Sequence, residues 1–384
     1  MMEWKEVTLK DITQLVIDYR GKTPLKLGGE WSDSGYRALS AKNVKTGVIV
    51  AEESIRYVDE VLYKKWMKDE VQKGDILITS EAPFGEVFFW NSDEKIVLSQ
   101  RLFDVRIKKD VCAQYVYYYM TSNPFQAELR SRASGTTVLG LKQPELLKTK
   151  VVLPDYNIQR KIAAMLSEID DKIAVNKKIC ENLEAQAQAM FKHWFVDFAP
   201  FKNGKFVESE LGMIPEGWRV GRLSELIEVK YGKDHKKLLD GDIPVYGSGG
   251  LMRKVNKLLY EGESVLIPRK GTLNNVMYVN EAFWTVDTMF YSIPKLPNIV
   301  LFTYILLSKK DLASMNAGSA VPSMTTDILN NMQIIIPNED VLEHFNSLVS
   351  ALYVQIKHNE QESRRLATLR DTLLPKLMSG EIKI

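Results

Sequence analysis

A chain of 384 residues is long enough for two to three domains, each with its own core. Its hydrophobic share of 45% and charged share of 26% are those of an ordinary globular protein, and no window approaches the 18 apolar residues of a membrane span. A net charge of +2 neither favours nor excludes nucleic acid. Two cysteines, Cys112 and Cys180, form neither a disulfide framework nor a zinc spacing, and MMEWKEVTLK lacks the apolar core of a signal peptide; both point to a reducing, cytoplasmic setting.

Residues 1–155 are expected to be α+β, because short β-branched or aromatic runs are cut by turn signals. Lys73-Gly74-Asp75 leads into the apolar strand Ile76-Leu77-Ile78. A helical stretch over Gln114–Thr121 precedes Gly135-Thr136-Thr137, a turn or a phosphate-binding loop. Val151–Leu153 is a buried strand stopped by Pro154. From about Tyr156 the period changes from two to three and a half. Leu166, Ile169, Ile173, Asn176, Cys180, Leu183, Ala187, Met190 and Trp194 are spaced alternately by three and four, without Gly or Pro between them. That is a coiled-coil seam of four heptads, roughly 42 Å long.

Phe198–Lys205 is a turn-rich connector, and residues 217–338 then repeat the α+β pattern in shorter form. Val229–Lys257 carries seven Lys/Arg against three Asp, either a solvated surface or a phosphate-facing patch. Glu261-Gly262-Glu263 leads into Val265-Leu266-Ile267, the counterpart of the strand at Ile76. A second seam runs through Val349, Leu352, Ile356, Asn359, Ser363, Leu366, Arg370, Leu373 and Leu377, weakened by Ser363 and Arg370.

The chain is therefore a divergent duplication. Leu139–Phe195 matches Pro322–Met378 at a constant offset of 183, while Trp4, Leu9 and Ile12 fall on Trp218, Leu223 and Leu226 at an offset of 214. The first half carries about 31 more residues, the difference of the two offsets. Two such seams in one chain most simply pair with each other. If they run antiparallel, Asn176 and Asn359 meet near the midpoint, where a polar residue fixes register at a cost in stability. A duplicated chain with approximate two-fold symmetry suits a two-fold target, of which duplex DNA is the commonest.

Motifs for chemistry are missing: no GxxxxGK[ST] loop, no GxGxxG after a strand, no HExxH. His193, His235, His344 and His358 read as packing or surface residues. Ser122-Asn123-Pro124-Phe125 reads as a helix boundary, and the carboxylate pairs Glu52-Glu53 and Asp170-Asp171 as solvated faces.

Phe191-Lys192-His193-Trp194-Phe195-Val196-Asp197-Phe198, followed by Leu211-Gly212-Met213-Ile214-Pro215-Glu216-Gly217-Trp218, resembles the central signature of specificity subunits of type I restriction–modification systems. Pro154 through Gln159-Arg160-Lys161-Ile162 resembles the start of that family's first long helix, although Asn157-Ile158 replaces the usual Glu before Gln159. Leu373–Glu381 resembles its C-terminal end, and Gly74–Ile78 the recurrent strand of its recognition domains.

The resemblance implies an α+β fold with two pseudo-symmetric target recognition domains separated by two long antiparallel coiled-coil helices. The implied boundaries are 1–155 for the first domain, 156–198 for the central helix, 199–216 for a connector, 217–338 for the second domain and 339–384 for the C-terminal helix. It implies a non-catalytic subunit that reads a split double-stranded DNA target and docks two methyltransferase subunits. Those partners would carry S-adenosylmethionine and flip the target adenine. Restriction subunits would bring ATP and magnesium, and this chain would hold no cofactor.

The helix interface is expected at Leu166, Ile169, Ile173, Asn176, Leu183 and Met190, facing Leu352, Ile356, Asn359, Leu366 and Leu373. Candidate DNA contacts in the first half are Arg37, Lys42, Asn43 and Lys45, with Thr136 and Thr137 in the Gly-Thr-Thr turn. In the second half they are Lys233, Lys236, Lys237, Arg253, Lys254, Arg269, Lys270, Ser319 and Thr325. Arg269-Lys270-Gly271-Thr272 stands where the first half has Glu81-Ala82-Pro83-Phe84, so the halves are expected to read different bases. The competing reading is a protein-interaction scaffold, or a degenerate specificity subunit without sequence readout.

Overall fold

The computed structural model describes residues 4–135, 138–315, 323–382 and 384. Thr136, Thr137 and Ser319, and with them most of the Gly-Thr-Thr turn, lie outside the described residues. The chain forms two compact units, Met1–Val175 with Glu362–Ile384, and Asn176–Gln361. The division falls inside both long helices, Tyr156–Phe195 and Glu339–Met378, rather than at their ends.

In the first unit the strands run β1 (Lys5–Thr8), β2 (Thr13–Asp18), β3 (Tyr36–Leu39), β4 (Val44–Lys45), β5 (Val48–Ile49) and β6 (Arg56–Val58). They continue with β7 (Asp75–Thr79), β8 (Val87–Trp90), β9 (Ile96–Leu98), β10 (Leu102–Ile107) and β11 (Lys150–Leu153). The main sheet has the order β2-β10-β7-β8, all antiparallel. β9 leads directly into β10 and carries β3 in parallel, with β6 beyond it. All five residues of β7 are buried, because both faces of the sheet are covered. Ile76 and Ile78 face a core built with the helix Ala113–Thr121, Ile162, Leu166 and Leu377. Leu77 faces the opposite core with Ile17, Leu39 and Trp66. A strand buried on both sides reads as an unbroken apolar run rather than an alternation.

The second unit has β12 (Phe206–Ser209), β13 (Gly212–Pro215), β14 (Arg219–Arg222), β15 (Ile227–Tyr231) and β16 (Ile243–Gly247). After them come β17 (Gly250–Val255), β18 (Tyr260–Pro268), β19 (Met277–Thr285), β20 (Met289–Pro294) and β21 (Gln333–Ile336). Six of its strands join in one sheet, β15-β20-β18-β19-β16-β17, which follows the order of the first unit's two sheets with β19 in place of β8 and β9, and β16 is parallel to β19 as β3 is to β9. The repeat holds to the residue. β1 pairs with β11 as Lys5 with Leu153, and β14 with β21 as Arg219 with Ile336, offsets of 214 and 183. Leu9 N donates to Thr149 O at 2.7 Å, and Leu223 N to Met332 O at 2.9 Å.

The connector is more ordered than its turn-rich composition suggests. Ala199–Phe201 is a 3₁₀ turn, and β12 and β13 form a hairpin beneath which Trp218 packs on Phe195, Phe198 and Phe201.

The two long helices run antiparallel in each unit. In the second, Asn176 Nδ2 lies 3.5 Å from Asn359 O, while Phe191 and Trp194 meet Phe345. In the first, Lys172 pairs with Glu362 at 3.3 Å and Asp170 with Arg370 at 2.8 Å. Asn176 is 0% and Asn359 6% exposed, and they are repeat equivalents. Asn359 Nδ2 also donates to Gln355 O at 3.0 Å. Leu166, Ile169, Ala187, Val349 and Leu377 are buried, while Ile173, Leu183, Met190, Leu352, Ile356, Leu366 and Leu373 are half-buried. Asp170 is not a solvated carboxylate: it accepts from Tyr118 Oη and Arg370 Nη1, both at 2.8 Å. Arg370, which weakens the apolar seam, thus closes a polar contact there. Tyr304 Oη donates to Glu184 Oε1 at 2.7 Å, so in each unit a tyrosine of the domain bonds a carboxylate of the first long helix.

The first unit contains two buried acids, Asp75 and Asp104, that the repeat does not share. Asp104 is fully buried on β10, opposite Leu77, with neither oxygen bonded. Asp75, two residues along the same face, is held by Arg106 Nε at 2.9 Å and Nη2 at 2.7 Å. Burial, and then the neighbouring Asp75, push the Asp104 carboxyl well above the usual carboxylate range, against the weaker pull of Arg106. A raised acid stabilises the fold while protonated, and that contribution is lost as pH rises through the folded value. Wild-type stability is therefore expected to decline from acidic towards alkaline pH by a component that Asp104→Asn removes. Urea unfolding of both proteins across that range checks this; parallel pH profiles would contradict it.

Candidate nucleic-acid interface

Strand registers align the two units at one corner of each sheet. Leu102 pairs with Thr79 on β10 and β7, and Met289 with Pro268 on β20 and β18. The next residues then correspond: Ser80 N donates to Arg101 O at 2.8 Å, and Arg269 N to Thr288 O at 2.9 Å. Leu141 N closes on Ser80 O, and Met324 N on Arg269 O, again 183 residues apart. Arg269 is thus the counterpart of Ser80, and Lys270 of Glu81, one residue out of step with pairing Arg269 to Glu81. Ala82 and Gly271 follow, both with left-handed backbone, at φ 44° and 84°.

In the second unit this corner gathers Lys233, Arg269 and Lys270. Lys233 N donates to Thr285 O at 2.9 Å, and its carbonyl accepts from Trp284 Nε1 at 2.9 Å. Arg269 Nη1 reaches Asp287 O at 3.2 Å, with its guanidinium 5.4 Å from the Tyr231 ring. Lys236, Lys237 and Lys254 are exposed nearby in sequence. Arg253 instead supports the backbone, since its Nη2 donates to His235 O and Leu238 O and pins the 235–238 loop. Thr325 caps a helix, its Oγ1 accepting from Ile328 N at 3.2 Å.

In the first unit the same corner holds Arg20, Glu81 and Arg101. Arg20 is bound to Asp18, donates to Leu141 O at 3.0 Å and lies 3.9 Å from the Phe103 ring. Arg101 pairs with Glu81 at 2.7 Å. Sequence patterning does not single out Arg20 or Arg101. By strand register Asp18 stands where the second unit has Tyr231, so Arg20 is the counterpart of Lys233. Arg101 stands where the second half has Thr288, so repetition gives no signal for it. Lys42 and Lys45 are exposed, and Arg37 pairs with Glu94 at 3.2 Å and Glu52 at 3.7 Å. Asn43 is corrected. It is 1% exposed, its Oδ1 accepts from Ser40 N and Oγ, and its Nδ2 donates to Ala51 O and Ser54 Oγ. That amide is committed to holding its own loop and has nothing left for a base.

A family model described as the type I restriction modification DNA specificity domain matches residues 1–185 and 215–361. The chain belongs to that family. As a specificity subunit it is a non-catalytic chain. It is 28% identical over its whole length to the type I restriction enzyme MjaIX specificity subunit of Methanocaldococcus jannaschii, covering 94% of that protein. It is 23% identical to the HindI specificity subunit of Haemophilus influenzae, with 82% of this chain and 88% of that one covered. The S subunit of a type I system from M. genitalium shares the fold, with a TM-score of 0.60 at 17% identity over 98% of this chain and 96% of that one. Among the described residues no His, Cys, Asp or Glu group has the arrangement of a metal site, and no helix is long and apolar enough to cross a membrane.

The reassignment of Asn43 is testable in this specificity subunit. Asn43→Ala is expected to destabilise it by about 1–3 kcal/mol, the cost of orphaning buried partners. Lys42→Ala and Lys45→Ala, at exposed positions, are expected to stay within about 0.5 kcal/mol of wild type. Chemical denaturation distinguishes these, and equal stability of all three variants would contradict the assignment.

Proposed function

We propose that this specificity subunit reads a split DNA target, one part with each α+β domain, and that its long helices dock two methyltransferase subunits. The observation that carries the reading is the repeat itself: one topology built twice, with different side chains at the corresponding corner. Lysine and arginine there supply phosphate contacts that position a duplex, while side chains reaching base edges supply specificity. The corner of the second domain presents Lys233, Arg269 and Lys270; that of the first presents Arg20, paired with Asp18, and Arg101, paired with Glu81. Two readers with different side chains recognise two different half-sites, so the target is asymmetric. The partners bring the chemistry: S-adenosylmethionine and adenine flipping from the methyltransferase subunits, ATP and magnesium from restriction subunits. The complex works in the cytoplasm, on duplex DNA.

Mapping of methylated bases in cells that express this chain with its methyltransferase tests the proposal. The expected result is a split motif with one methylated adenine in each half. Exchange of residues 217–338 for the corresponding domain of a relative is then expected to change one half of the motif and leave the other. An undivided motif, or a change in both halves, would overturn the two-reader account.

A further inference from the structure

β16 and β17 are joined by a two-residue turn, Ser248-Gly249, with Gly250 at φ 108°. The register slips at the tip: Tyr246 faces Leu251 and Val245 faces Arg253, which leaves Met252 as the extra residue of a bulge. Leu251 is 50% and Met252 57% exposed. Met252 lies across Gly247, where a Cβ would stand 2.5 Å from its Sδ, so glycine there is what lets the side chain cover the tip.

The tip is held firmly. Asn275 Nδ2 donates to Ser248 O at 2.8 Å, and a Cβ on Gly271 would stand 2.6 Å from Ser248 Oγ. It therefore rests against the loop that carries Arg269 and Lys270. The loops and strand ends at this corner, residues 231–238, 247–255, 269–275 and 285–289, hold seven Lys/Arg against two carboxylates, Asp234 and Asp287. The half-exposed ring of Tyr231 stands there as well.

Single exposed apolar residues are ordinary; two adjacent ones on a rigid tip inside a basic ring are not. The cores of protein interfaces are depleted in charge, whereas proteins that kink a duplex combine basic residues with inserted Leu or Met side chains. We propose that this turn is an apolar wedge: Leu251 and Met252 enter a base step of the DNA bound by the second domain, unstacking it while the surrounding lysines and arginines hold the backbone. The proposal rests on the DNA-reading function above and adds to it where and how the duplex is deformed. In the first domain the matching strands β3 and β6 are joined instead by residues 40–55, a long loop with its own short strands β4 and β5, so the tight apolar turn belongs to the second domain's hairpin.

The test uses the complex of this chain with its methyltransferase and a duplex bearing the mapped motif, with 2-aminopurine placed at successive positions. The expected result is a fluorescence rise at a step of the second half-site other than the methylated adenine. In the double variant Leu251→Ser/Met252→Ser that rise is lost and affinity falls about tenfold or more, as expected for two half-buried apolar side chains, with an unchanged salt slope. The conservative pair Leu251→Met/Met252→Leu retains both. A rise confined to the methylated adenine, or one that persists in the serine variant, overturns the wedge while leaving DNA reading intact. So does a serine variant that loses methyltransferase and keeps its DNA stacked normally. A complex that binds no duplex overturns the DNA-reading function and the wedge with it.

Discussion

The structure depends on the antiparallel pairing of two helices that lie 183 residues apart in sequence. Each compact unit contains part of both helices. The core of the first domain is completed by Leu377 and Met378, from the last turn of the second helix, and Gly380 lets the chain turn against Trp4. The core of the second domain takes Ala187, Phe191 and Phe195 from the first helix, together with Phe345, Val349 and Tyr353 from the second. Burial of a large side chain contributes about 1.5–3 kcal/mol, so each domain is stabilised by segments from both halves of the chain. A hydrogen bond from a tyrosine fixes each domain to the first helix: buried Tyr118 to Asp170, and half-buried Tyr304 to Glu184. Burial, above the effect of the neighbouring charges, raises both hydroxyls far beyond their ordinary range, so both remain donors at any physiological pH.

Within this frame the two domains diverge where packing permits. Asp104 and Asp75 in the first correspond by register to Tyr291 and Ser264 in the second. The corner of the sheets keeps its backbone hydrogen bonds while its side chains change from Ser80 and Glu81 to Arg269 and Lys270. Backbone geometry is what duplication preserved. The charges and apolar tips vary, as the proposed recognition of unlike half-sites would require.

The repeat was legible in the sequence because its signals are periodic and apolar. The offsets of 183 and 214 reappear in the strand registers, and the three-four spacing of Leu166, Ile169 and Ile173 foretells one helix of 40 residues. The site was less legible. Asn43 looks like a base reader because polar residues in a loop read alike whether they face solvent or their own backbone; only the fold shows its amide occupied. Arg20 is hidden in the sequence because a bulge between β2 and β10 adds a residue and shifts the offset that aligns it with Lys233. The β12–β13 hairpin was hidden in a connector whose Gly and Lys residues signal turns, not strands.

On the proposed reading of a split target, the helix pair that runs through both units would set the separation of the half-sites. Insertion of one heptad into each helix, after Val175 and after Gln361, lengthens both by about 10.5 Å without entering either core. At roughly 3.4 Å per base pair this corresponds to about three base pairs. Mapping the methylated motifs of the lengthened subunit with its methyltransferase should return both half-sites unchanged, with the gap between them longer by about three. Affinity should fall, because three base pairs also rotate the far half-site by roughly a third of a turn. An active lengthened subunit that keeps the original gap would contradict the account.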